Sequence, residues 1–162
     1  MNIRPANFND LNLLMDITRR CIGHLNKQGI NQWDDIYPSR KDFHDDIVAQ
    51  SLYSITNGDK LCGCVCINQI EYPGYEKANW QGSDFFVIHK IIIDPQKEGQ
   101  GLGKFAMLHA EMIARANQKD SIRLDCFKEN ERANRFYQKL GYVIKGETLF
   151  RKGMFNLYEK MI

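Results

Sequence analysis

The sequence predicts a mixed α/β fold, in which a central, mostly antiparallel sheet includes one parallel pair and carries helices on both faces. Strand-like and helix-like patterns follow one another along the chain in the order β-α-α-β-β-β-α-β-α-β-β. A strand, a helix and a strand in the second half require a parallel pair with a right-handed crossover. The turn Asn57-Gly58-Asp59 between two apolar runs is typical of an antiparallel hairpin.

The first half begins with a short strand over residues 3–5, and Asn7 followed by Asp10 is a variant capping box that begins the first helix. Ser39 with Asp42 begins a second helix after an irregular stretch. Residues at spacings of three and four define the buried face of the first helix. They are Leu11, Leu14, Thr18, Cys21, Ile22 and Leu25.

The middle of the chain predicts strands over residues 52–56 and 60–67, on the two sides of the hairpin turn. After a turn-rich stretch over residues 73–82, residues 85–93 are mostly apolar, β-branched or aromatic, which is typical of a buried central strand. A clear amphipathic helix follows over residues 101–117. Its expected inward side chains are Phe105, Leu108, Met112, Ile113 and Ala116.

The last part of the chain predicts a strand over residues 122–127 and a short helix over residues 133–140. Gly141 is well placed to end that helix. Two further strands, residues 142–145 and 155–161, close the chain.

Length and composition indicate one ordinary globular domain. The chain has 162 residues, so we expect a single domain over residues 1–162. Hydrophobic residues make up 43% and charged residues 26%, which excludes a disordered, collagen-like or coiled-coil chain. Lys and Arg total 22 against 20 Asp and Glu, so the net charge gives no support to bulk binding of nucleic acid or an anionic membrane. With neither an apolar leader nor a membrane-length apolar run, we expect a cytoplasmic protein.

The five cysteines predict buried thiols. Cys62, Cys64 and Cys66 alternate on a predicted strand, where residues i and i+2 lie about 6.6 Å apart. This local spacing suits neither a disulfide nor a tetrahedral zinc site. We therefore expect small core thiols in a reducing compartment and no metal.

The most informative segment is a glycine loop. A buried strand ends at Ile93, Pro95 interrupts it, and Gly99, Gly101 and Gly103 alternate before the long helix. Glycine lets the backbone approach a ligand, and the free amides and dipole of a helix N-terminus favour an anion, typically a phosphate. The alternative is a loop that only turns the chain, which seldom needs three glycines.

Two other phosphate motifs fit less well. A Walker A loop ending at Gly103-Lys104 would place Glu98 at its first glycine and Phe105 at its hydroxyl position, so both positions fail. Gly101-x-Gly103-x-x-Ala106 with Asp125 satisfies the relaxed dinucleotide fingerprint. Five residues separate the strand from the first glycine, however, and too few residues follow to complete a dinucleotide sheet.

The better match is a family. Gln96-x-x-Gly99-x-Gly101, directly after a strand that ends in Asp94-Pro95, resembles motif A of the GNAT superfamily of acetyl-CoA-dependent N-acetyltransferases. After the strand Arg123-Leu124-Asp125-Cys126-Phe127, the block Asn130-x-x-Ala133-x-x-Phe136-Tyr137-x-Lys139-x-Gly141-Tyr142 resembles motif B. The two motifs occur in order with a helix of the right length between them, and the resemblance covers essentially the whole chain.

The resemblance implies a GNAT-like fold with acetyl-CoA as cosubstrate. In this family the loop amides hold the pyrophosphate, and the pantetheine arm pairs with the backbone of residues 91–93, where two parallel strands splay apart. An N–H near Ile93 would stabilise the thioester oxyanion. The implied cofactor-binding residues are Ile91, Ile92, Ile93, Gln96, Gly99, Gln100, Gly101, Leu102, Gly103, Lys104, Asn130 and Tyr137.

Tyr137 matches the position of the acid that protonates the leaving thiolate in this family. The pKa of a phenol, near 10, lies close enough to that of a thiol for useful proton transfer. We expect Ala133, Phe136 and Leu140 to face the core and Tyr137 to lie off that stripe; the alternative is that Tyr137 packs beside Phe136. His89 is the candidate base for the amine. The alternative role for His89 is that of a hydrogen-bonded core histidine, and Glu71 is a weaker candidate base.

In this family, acceptor specificity usually comes from the first two helices and the loops that cross the sheet. Trp33 and Tyr37 fall in this part of the chain, and Trp80 and Asp84 could also line the pocket. For all four residues a hydrophobic plug or a solvated loop is the alternative. An acidic residue such as Asp84 or Glu71 would suit a cationic amine.

The sequence therefore predicts an N-acetyltransferase that transfers an acetyl group from acetyl-CoA to a primary amine by direct attack in a ternary complex. The alternative is a non-catalytic acyl-CoA-binding sensor module. The expected partners are acetyl-CoA and a small-molecule amine, without nucleic acid or membrane, and the resemblance also allows a homodimer. Which amine is the acceptor stays open, because fold does not determine substrate.

Overall fold

The computed structural model describes all 162 residues, and its elements follow the predicted order. The strands are β1 (Asn2–Pro5), β2 (Leu52–Asn57), β3 (Lys60–Asn68), β4 (Phe85–Ile93), β5 (Ser121–Phe127), β6 (Val143–Phe150) and β7 (Gly153–Met161). The α-helices are α1 (Leu11–Lys27), α2 (Arg40–Val48), α3 (Leu102–Ala116) and α4 (Glu131–Lys139). Short 3₁₀ helices lie at Phe8–Asp10, Tyr75–Lys77 and Pro95–Lys97.

The strands form a seven-stranded sheet in the order β1-β2-β3-β4-β5-β7-β6. β4 and β5 are parallel, whereas β1–β2, β2–β3, β5–β7 and β6–β7 are antiparallel. The predicted mixed α/β class is therefore confirmed. None of the helices combines the length and the apolar character that crossing a membrane would require.

The chain divides into two compact units. The first comprises residues 1–67 and 89–110, and the second comprises residues 68–88 and 111–162.

In the first unit, Asp10 ties the start of α1 to two strands. Its carboxylate accepts two hydrogen bonds of 2.7 Å from Arg4 on β1 and one of 2.9 Å from Ser54 on β2. It also accepts the backbone N–H of Asn7 at 3.0 Å, which completes the predicted capping box. α1 then packs its apolar face on α2, β2, β3 and β4. Its buried residues are Leu11, Leu14, Ile17, Thr18 and Cys21.

α2 begins as predicted at Ser39, whose side chain and that of Asp42 form a complete capping box. Phe43 and Ile47 are its buried residues. The hairpin between β2 and β3 turns at Gly58, which has a φ of +60°. These local predictions are confirmed because each depends on residues within one turn of chain.

The predicted inward face of α3 is wrong. Leu108 and Met112 are 48% and 57% exposed, whereas Ala106, Ala110 and Ala114 are fully buried. Alanines at a spacing of four give the helix a smooth side that permits close packing. The large apolar side chains Leu108 and Met112 therefore do not mark the buried face of this helix.

In the second unit, Asn134 fixes α4 on β5 and β7. Its Nδ2 donates to the Phe127 carbonyl at 2.9 Å, and its Oδ1 accepts from Asn156 Nδ2 at 2.7 Å and from the Tyr158 hydroxyl at 2.8 Å. All of these groups are buried, so water could not replace a lost partner. The hydrogen bonds of Asn134 therefore contribute strongly to the stability of this unit.

The segment that contains Tyr75–Lys77 packs on the other face of β5 and β7. Tyr75 forms a buried cluster with Val87 of β4 and Leu157 of β7. On the same face, the buried carboxylate of Glu159 accepts the backbone N–H groups of Gln81 at 2.8 Å and Gly82 at 3.1 Å. This carboxylate therefore fixes the course of the segment before β4.

All five cysteines are buried free thiols, as predicted. Burial raises the pKa of Cys21, Cys66 and Cys126 to about 12. These thiols therefore stay protonated and behave as small core side chains.

We predict that Gly63→Ala destabilises the protein by about 2–3 kcal/mol, because an added Cβ would clash with the backbone carbonyl of Ile92 on β4. Gly23→Ala is the matched control. Gly23 lies in α1 with open space around it, so this change should stabilise by about 0.5–1 kcal/mol. Urea unfolding of both variants measures the two effects, and equal stability of the two would contradict the prediction.

Candidate active site

The glycine loop in the first unit has the backbone that the sequence pattern requires. After β4, the Asp94 side chain accepts the backbone N–H of Gln96 at 3.1 Å and begins a short 3₁₀ turn. Gly99 and Gly101 then adopt φ values of +76° and +77°. Side chains rarely tolerate this conformation, so the two glycines are needed for the turn itself.

α3 begins directly after this turn. The Phe105 N–H donates to the Gly101 carbonyl at 2.9 Å, which makes Gly101 the residue before the first helical turn. The N–H groups of that turn have no carbonyl four residues earlier in the helix to receive them. They belong to Leu102, Gly103 and Lys104. Leu102 is buried and anchors the turn, whereas the loop before it is exposed. The arrangement can therefore accept an anion.

α1 holds the start of this loop. Arg20 donates from Nε and Nη2 to the two carboxylate oxygens of Asp94, at 3.2 and 2.6 Å. Cys21 donates its thiol to the Ile93 carbonyl at 3.0 Å, and His24 Nε2 lies 3.7 Å from Glu98 Oε1. α1 therefore contacts this part of the chain at Ile93, Asp94 and Glu98. Sequence reasoning missed Arg20, because its partner lies 74 residues away.

Arg20 also sets the charge of Asp94. Burial opposes ionisation of this carboxyl, but the hydrogen bonds from Arg20 and from the Gln96 N–H outweigh burial and hold its pKa below the usual value. Asp94 therefore stays ionised, and the ion pair persists at neutral pH.

Side chains along β4 alternate in burial. Lys90 and Ile92 are buried, whereas His89, Ile91 and Ile93 are partly buried. Ile92 belongs to the core formed with α1 and α2. Because neighbouring residues of a strand point to opposite sides, His89 points away from that core.

Lys90, rather than His89, meets the predicted acceptor loop. Its Nζ lies 2.5 Å from Asp46 Oδ2 on α2, 5.4 Å from the centroid of the Tyr37 ring and 5.6 Å from that of Phe43. The structure therefore does not bring His89 and Tyr37 to the same face of β4.

The loop between α1 and α2 carries Trp33 and Tyr37 as predicted, without regular secondary structure. The Asp34 side chain accepts the N–H groups of Ile36 at 3.0 Å and Tyr37 at 3.3 Å, which shapes the loop. Trp33 packs partly against the core of the first unit. Both aromatic side chains are partly buried, so each is held in place.

In the second unit, Asn130 is the N-cap of α4, and its side chain accepts the Ala133 N–H at 3.1 Å. Gly141, with a φ of +88°, follows the end of the helix as predicted. The expected orientation of Tyr137 is wrong: it is buried at 7% exposure, and Phe136 is only partly buried. The buried residue one turn earlier is Asn134, a polar side chain that a hydrophobic pattern assigns to the outside.

The Tyr137 ring lies 6.2 Å from that of Tyr142 and 6.1 Å from that of Tyr158. Burial, with the nearby Cys126 and Asp125, raises the pKa of Tyr137 well above its usual value. The phenol therefore keeps its proton at physiological pH. It is also a weaker acid than an exposed tyrosine, further from the pKa of a thiol.

Trp80 is held in the second unit by two contacts. Its Nε1 donates to the Tyr75 carbonyl at 2.8 Å, and the guanidinium carbon of Arg123 lies 4.5 Å from its ring centroid.

Both acidic candidates for amine binding already have cationic partners. Asp84 is exposed and accepts from Lys119 Nζ at 2.5 Å and from Gln69 at 3.3 Å. Glu71 accepts a short hydrogen bond from Arg123.

Asp125 is a functional candidate that sequence reasoning considered only for a dinucleotide motif. Its Oδ2 accepts the Tyr75 hydroxyl at 2.8 Å. Burial raises its pKa to about 6, although the Tyr75 hydrogen bond acts in the opposite direction. A carboxyl that titrates near neutrality is suited to proton transfer.

Comparison with known proteins gives a consistent result. The model of the acetyltransferase (GNAT) family matches residues 15–142. YesJ, an uncharacterized N-acetyltransferase of Bacillus subtilis (strain 168), is 25% identical over 166 residues, which cover 98% of this chain and 88% of YesJ.

Solved structures show the same fold. A GNAT-family acetyltransferase from Streptococcus agalactiae 2603 has a TM-score of 0.86 at 23% identity, covering 99% of this chain and 95% of that one. The PaiA N-acetyltransferase of Thermoplasma acidophilum, solved in complex with coenzyme A, has a TM-score of 0.77 at 19% identity, covering 99% and 98%.

We predict that Arg20→Gln lowers stability by about 1 kcal/mol at pH 7, because Asp94 loses its charged donor. The folded-state pKa of Asp94 lies below the unfolded value of about 3.9, so its contribution exists above that pH and is lost as the pH falls through the lowered pKa. The difference between variant and wild type should therefore shrink below about pH 4.

Urea unfolding at several pH values measures this effect. Arg19→Gln is the control, because Arg19 is exposed and pairs with the exposed Asp16. This change should stay within about 0.5 kcal/mol of wild type at every pH. A loss for Arg20→Gln that is independent of pH would contradict the role of the ion pair.

Proposed function

Because this chain belongs to the acetyltransferase (GNAT) family, we propose that it transfers an acetyl group from acetyl-CoA to a primary amine by direct attack in a ternary complex. Membership of the family makes the chain an acyltransferase. The cosubstrate, the order of events and the amine are the parts that we propose.

The observation that carries the proposal is the loop before α3. Gly99 and Gly101 adopt positive φ values, and the exposed turn leads directly into a first helical turn with free N–H groups. Such a site can hold a pyrophosphate through backbone N–H groups and the helix dipole, without a large net positive charge on the protein. Gln96 and Lys104 are exposed beside it in the sequence and can add polar contacts. Gln100, Leu102 and Gly103 complete this set of proposed contacts.

The strand before the loop supports a place for the pantetheine arm. The pairs between β4 and β5 end at Ile88, whereas β4 continues to Ile93. We assign the backbone of Ile91, Ile92 and Ile93 to the arm, with an N–H near Ile93 as donor to the thioester oxyanion. Asn130 is proposed as a further contact to the arm.

In the proposed reaction, the amine nitrogen attacks the thioester carbonyl carbon, the carbon–nitrogen bond forms and the carbon–sulfur bond breaks. The thiolate that leaves receives a proton from Tyr137, and bulk water restores that proton. The ammonium group must lose a proton before attack, and His89 is the candidate base that the family resemblance implies. Trp33, Tyr37, Trp80 and Asp84 are proposed to line the acceptor site.

The function is tested by thiol release from acetyl-CoA in the presence of a library of primary amines. Turnover with at least one amine supports it. Binding of acetyl-CoA without turnover on any amine would favour a sensor module. Thermal stabilisation by NAD and not by acetyl-CoA would overturn both.

We predict that Gly101→Glu weakens acetyl-CoA binding by at least about a hundredfold, because it places a carboxylate beside the pyrophosphate site. Gly101→Ala is the matched control, since it carries the same positive-φ strain of about 1 kcal/mol without the charge. Its affinity should fall less than about tenfold. Isothermal titration calorimetry measures both, and unchanged affinity of the glutamate variant would show that the loop does not bind the phosphates.

We predict that Tyr137→Phe lowers the rate of acetyl transfer by at most about a hundredfold and leaves acetyl-CoA affinity nearly intact. The effect should be modest because burial makes this phenol a weak acid. Tyr142→Phe is the control, since Tyr142 is another buried tyrosine of the same cluster and has no proposed catalytic role. Single-turnover kinetics measures the rate, and wild-type rates for Tyr137→Phe would remove it from the mechanism.

A further inference from the structure

The second unit contains three acidic side chains that are not exposed: Glu111, Asp125 and Glu159. Lys160 Nζ lies 2.7 Å from Glu111 Oε1, and Arg123 Nε lies 3.7 Å from Glu159 Oε1. Asp125 makes no ion pair, and its side-chain partner is the Tyr75 hydroxyl, which donates at 2.8 Å. A carboxylate withdrawn from water without a cation is costly, so such a group is a candidate for function.

Tyr75 is built to hold Asp125 in one position. Its side chain is 1% exposed and packs against Val87 and Leu157. Its ring lies 5.7 Å from that of Trp80, whose Nε1 donates to the Tyr75 carbonyl. Trp80 therefore helps to hold Tyr75 in place.

The charged groups near Asp125 are already neutralised. Arg123, two residues earlier on the same face of β5, donates to Glu71 and to the Gly82 carbonyl. β7 places the apolar Leu157 opposite Asp125. No cation from these elements remains to balance the carboxylate.

Two further titratable neighbours of Asp125 lie on the other face. They are Cys126 of β5 and Tyr137 of α4, and burial raises the pKa of both, so each is neutral at physiological pH. Neither can supply a positive charge to Asp125.

We propose that the carboxylate of Asp125, held by the Tyr75 hydroxyl, binds the ammonium group of the acceptor and takes the proton that the nitrogen must lose. This inference rests on the proposed acetyl transfer. It names the acceptor class as a primary amine that is cationic at neutral pH and has no carboxylate next to the amino group. A neighbouring carboxylate, as in an α-amino acid, would be repelled by Asp125.

The proton balance is simple. The ammonium transfers one proton to Asp125 and becomes a neutral amine, whose lone pair attacks the thioester carbon. Asp125 becomes a neutral carboxylic acid and later releases this proton to water. After attack the nitrogen loses its second proton to water, and the leaving thiolate takes one proton from Tyr137, so one proton is released overall. The assignment replaces His89 as the base for the amine. It also replaces Asp84 and Glu71 as the acidic group for the amine, because both of these carboxylates are paired with cations.

The titration of Asp125 predicts a specific pH profile. Its pKa of about 6 leaves it ionised at neutral pH. kcat/KM should therefore fall about tenfold for each pH unit below about pH 6. Loss of the Tyr75 hydrogen bond, which favours the ionised form, should move this limb to higher pH.

The first experiment compares Asp125→Asn, Tyr75→Phe and His89→Gln with wild type, using 2-phenylethylamine and acetyl-CoA. Asp125→Asn should lose the acidic limb and at least about a hundredfold in kcat/KM, with acetyl-CoA affinity unchanged by calorimetry. Tyr75→Phe should keep the limb at a higher pH. Glu147→Gln, an exposed carboxylate paired with Lys128, is the control and should match wild type. An acidic limb that survives in Asp125→Asn and disappears in His89→Gln would overturn the inference.

The second experiment does not depend on turnover. The carboxyl carbons of aspartate are labelled with ¹³C, and the Asp125 signal is identified by its absence in Asp125→Asn. 2-Phenylethylamine should shift this signal and lower the pKa of Asp125, whereas phenylalanine should bind at least about tenfold more weakly. An unshifted signal at saturating amine would refute the assignment, even if the enzyme acetylates amines. If the signal shifts but the protein does not bind acetyl-CoA, the amine site at Asp125 is supported and the proposed acetyl transfer is refuted.

The thermal stability of Asp125→Asn tests whether the Asp125 carboxylate has a functional or a structural role. Asparagine can accept the Tyr75 hydrogen bond without the buried charge, so Asp125→Asn should raise Tm at pH 8. The folded-state pKa of Asp125 is raised, so the cost of its charge is full above about pH 6 and declines as the pH falls toward the unfolded pKa of about 3.9. The gain in Tm should therefore be smaller at pH 5 than at pH 8 and vanish below about pH 4. A lower Tm at pH 8 would mean that the carboxylate is a structural group.

Discussion

The bidentate ion pair between Arg20 and Asp94 fixes the point at which β4 ends and the glycine loop begins. Asp94 sits at this junction because its own N–H donates to the Cys62 carbonyl on β3 at 2.8 Å, while its side chain accepts from Arg20 and from the Gln96 N–H. One residue therefore joins a strand, a helix and the loop. The free amides of α3 can present an anion site only if this junction is held.

The second unit uses buried polar groups in the same way. Asn134 connects α4 to β5 and β7. The Glu159 carboxylate holds the segment before β4 by accepting the backbone N–H groups of Gln81 and Gly82. Each of these groups has its partners within the protein, which makes it an element of structure. Asp125 differs because its only side-chain partner is a neutral phenol. This difference between Asp125 and the paired carboxylates is the basis on which we propose a reactive role for Asp125.

The glycine loop and the catalytic candidates depend on different physical properties of the chain. A pyrophosphate site can be built from backbone N–H groups and a helix terminus, and glycines between a strand and a helix favour both. An acid or a base needs a particular pKa, and that depends on everything packed around it. Tyr137 illustrates the point, since its buried position makes it a poorer acid than its residue type suggests.

The sequence by itself determined the elements whose causes are local. The capping boxes at Asn7 and Ser39, the strand Phe85–Ile93 and the glycine loop each depend on residues within a few positions of one another. Only the tertiary structure decided which faces of α3 and α4 are buried and which carboxylates are paired. Glu71 meets Arg123 across 52 residues and Arg20 meets Asp94 across 74, so no local pattern records these pairs. Burial and charge neutralisation are properties of the packed chain, because they depend on contacts between residues that lie far apart in the sequence.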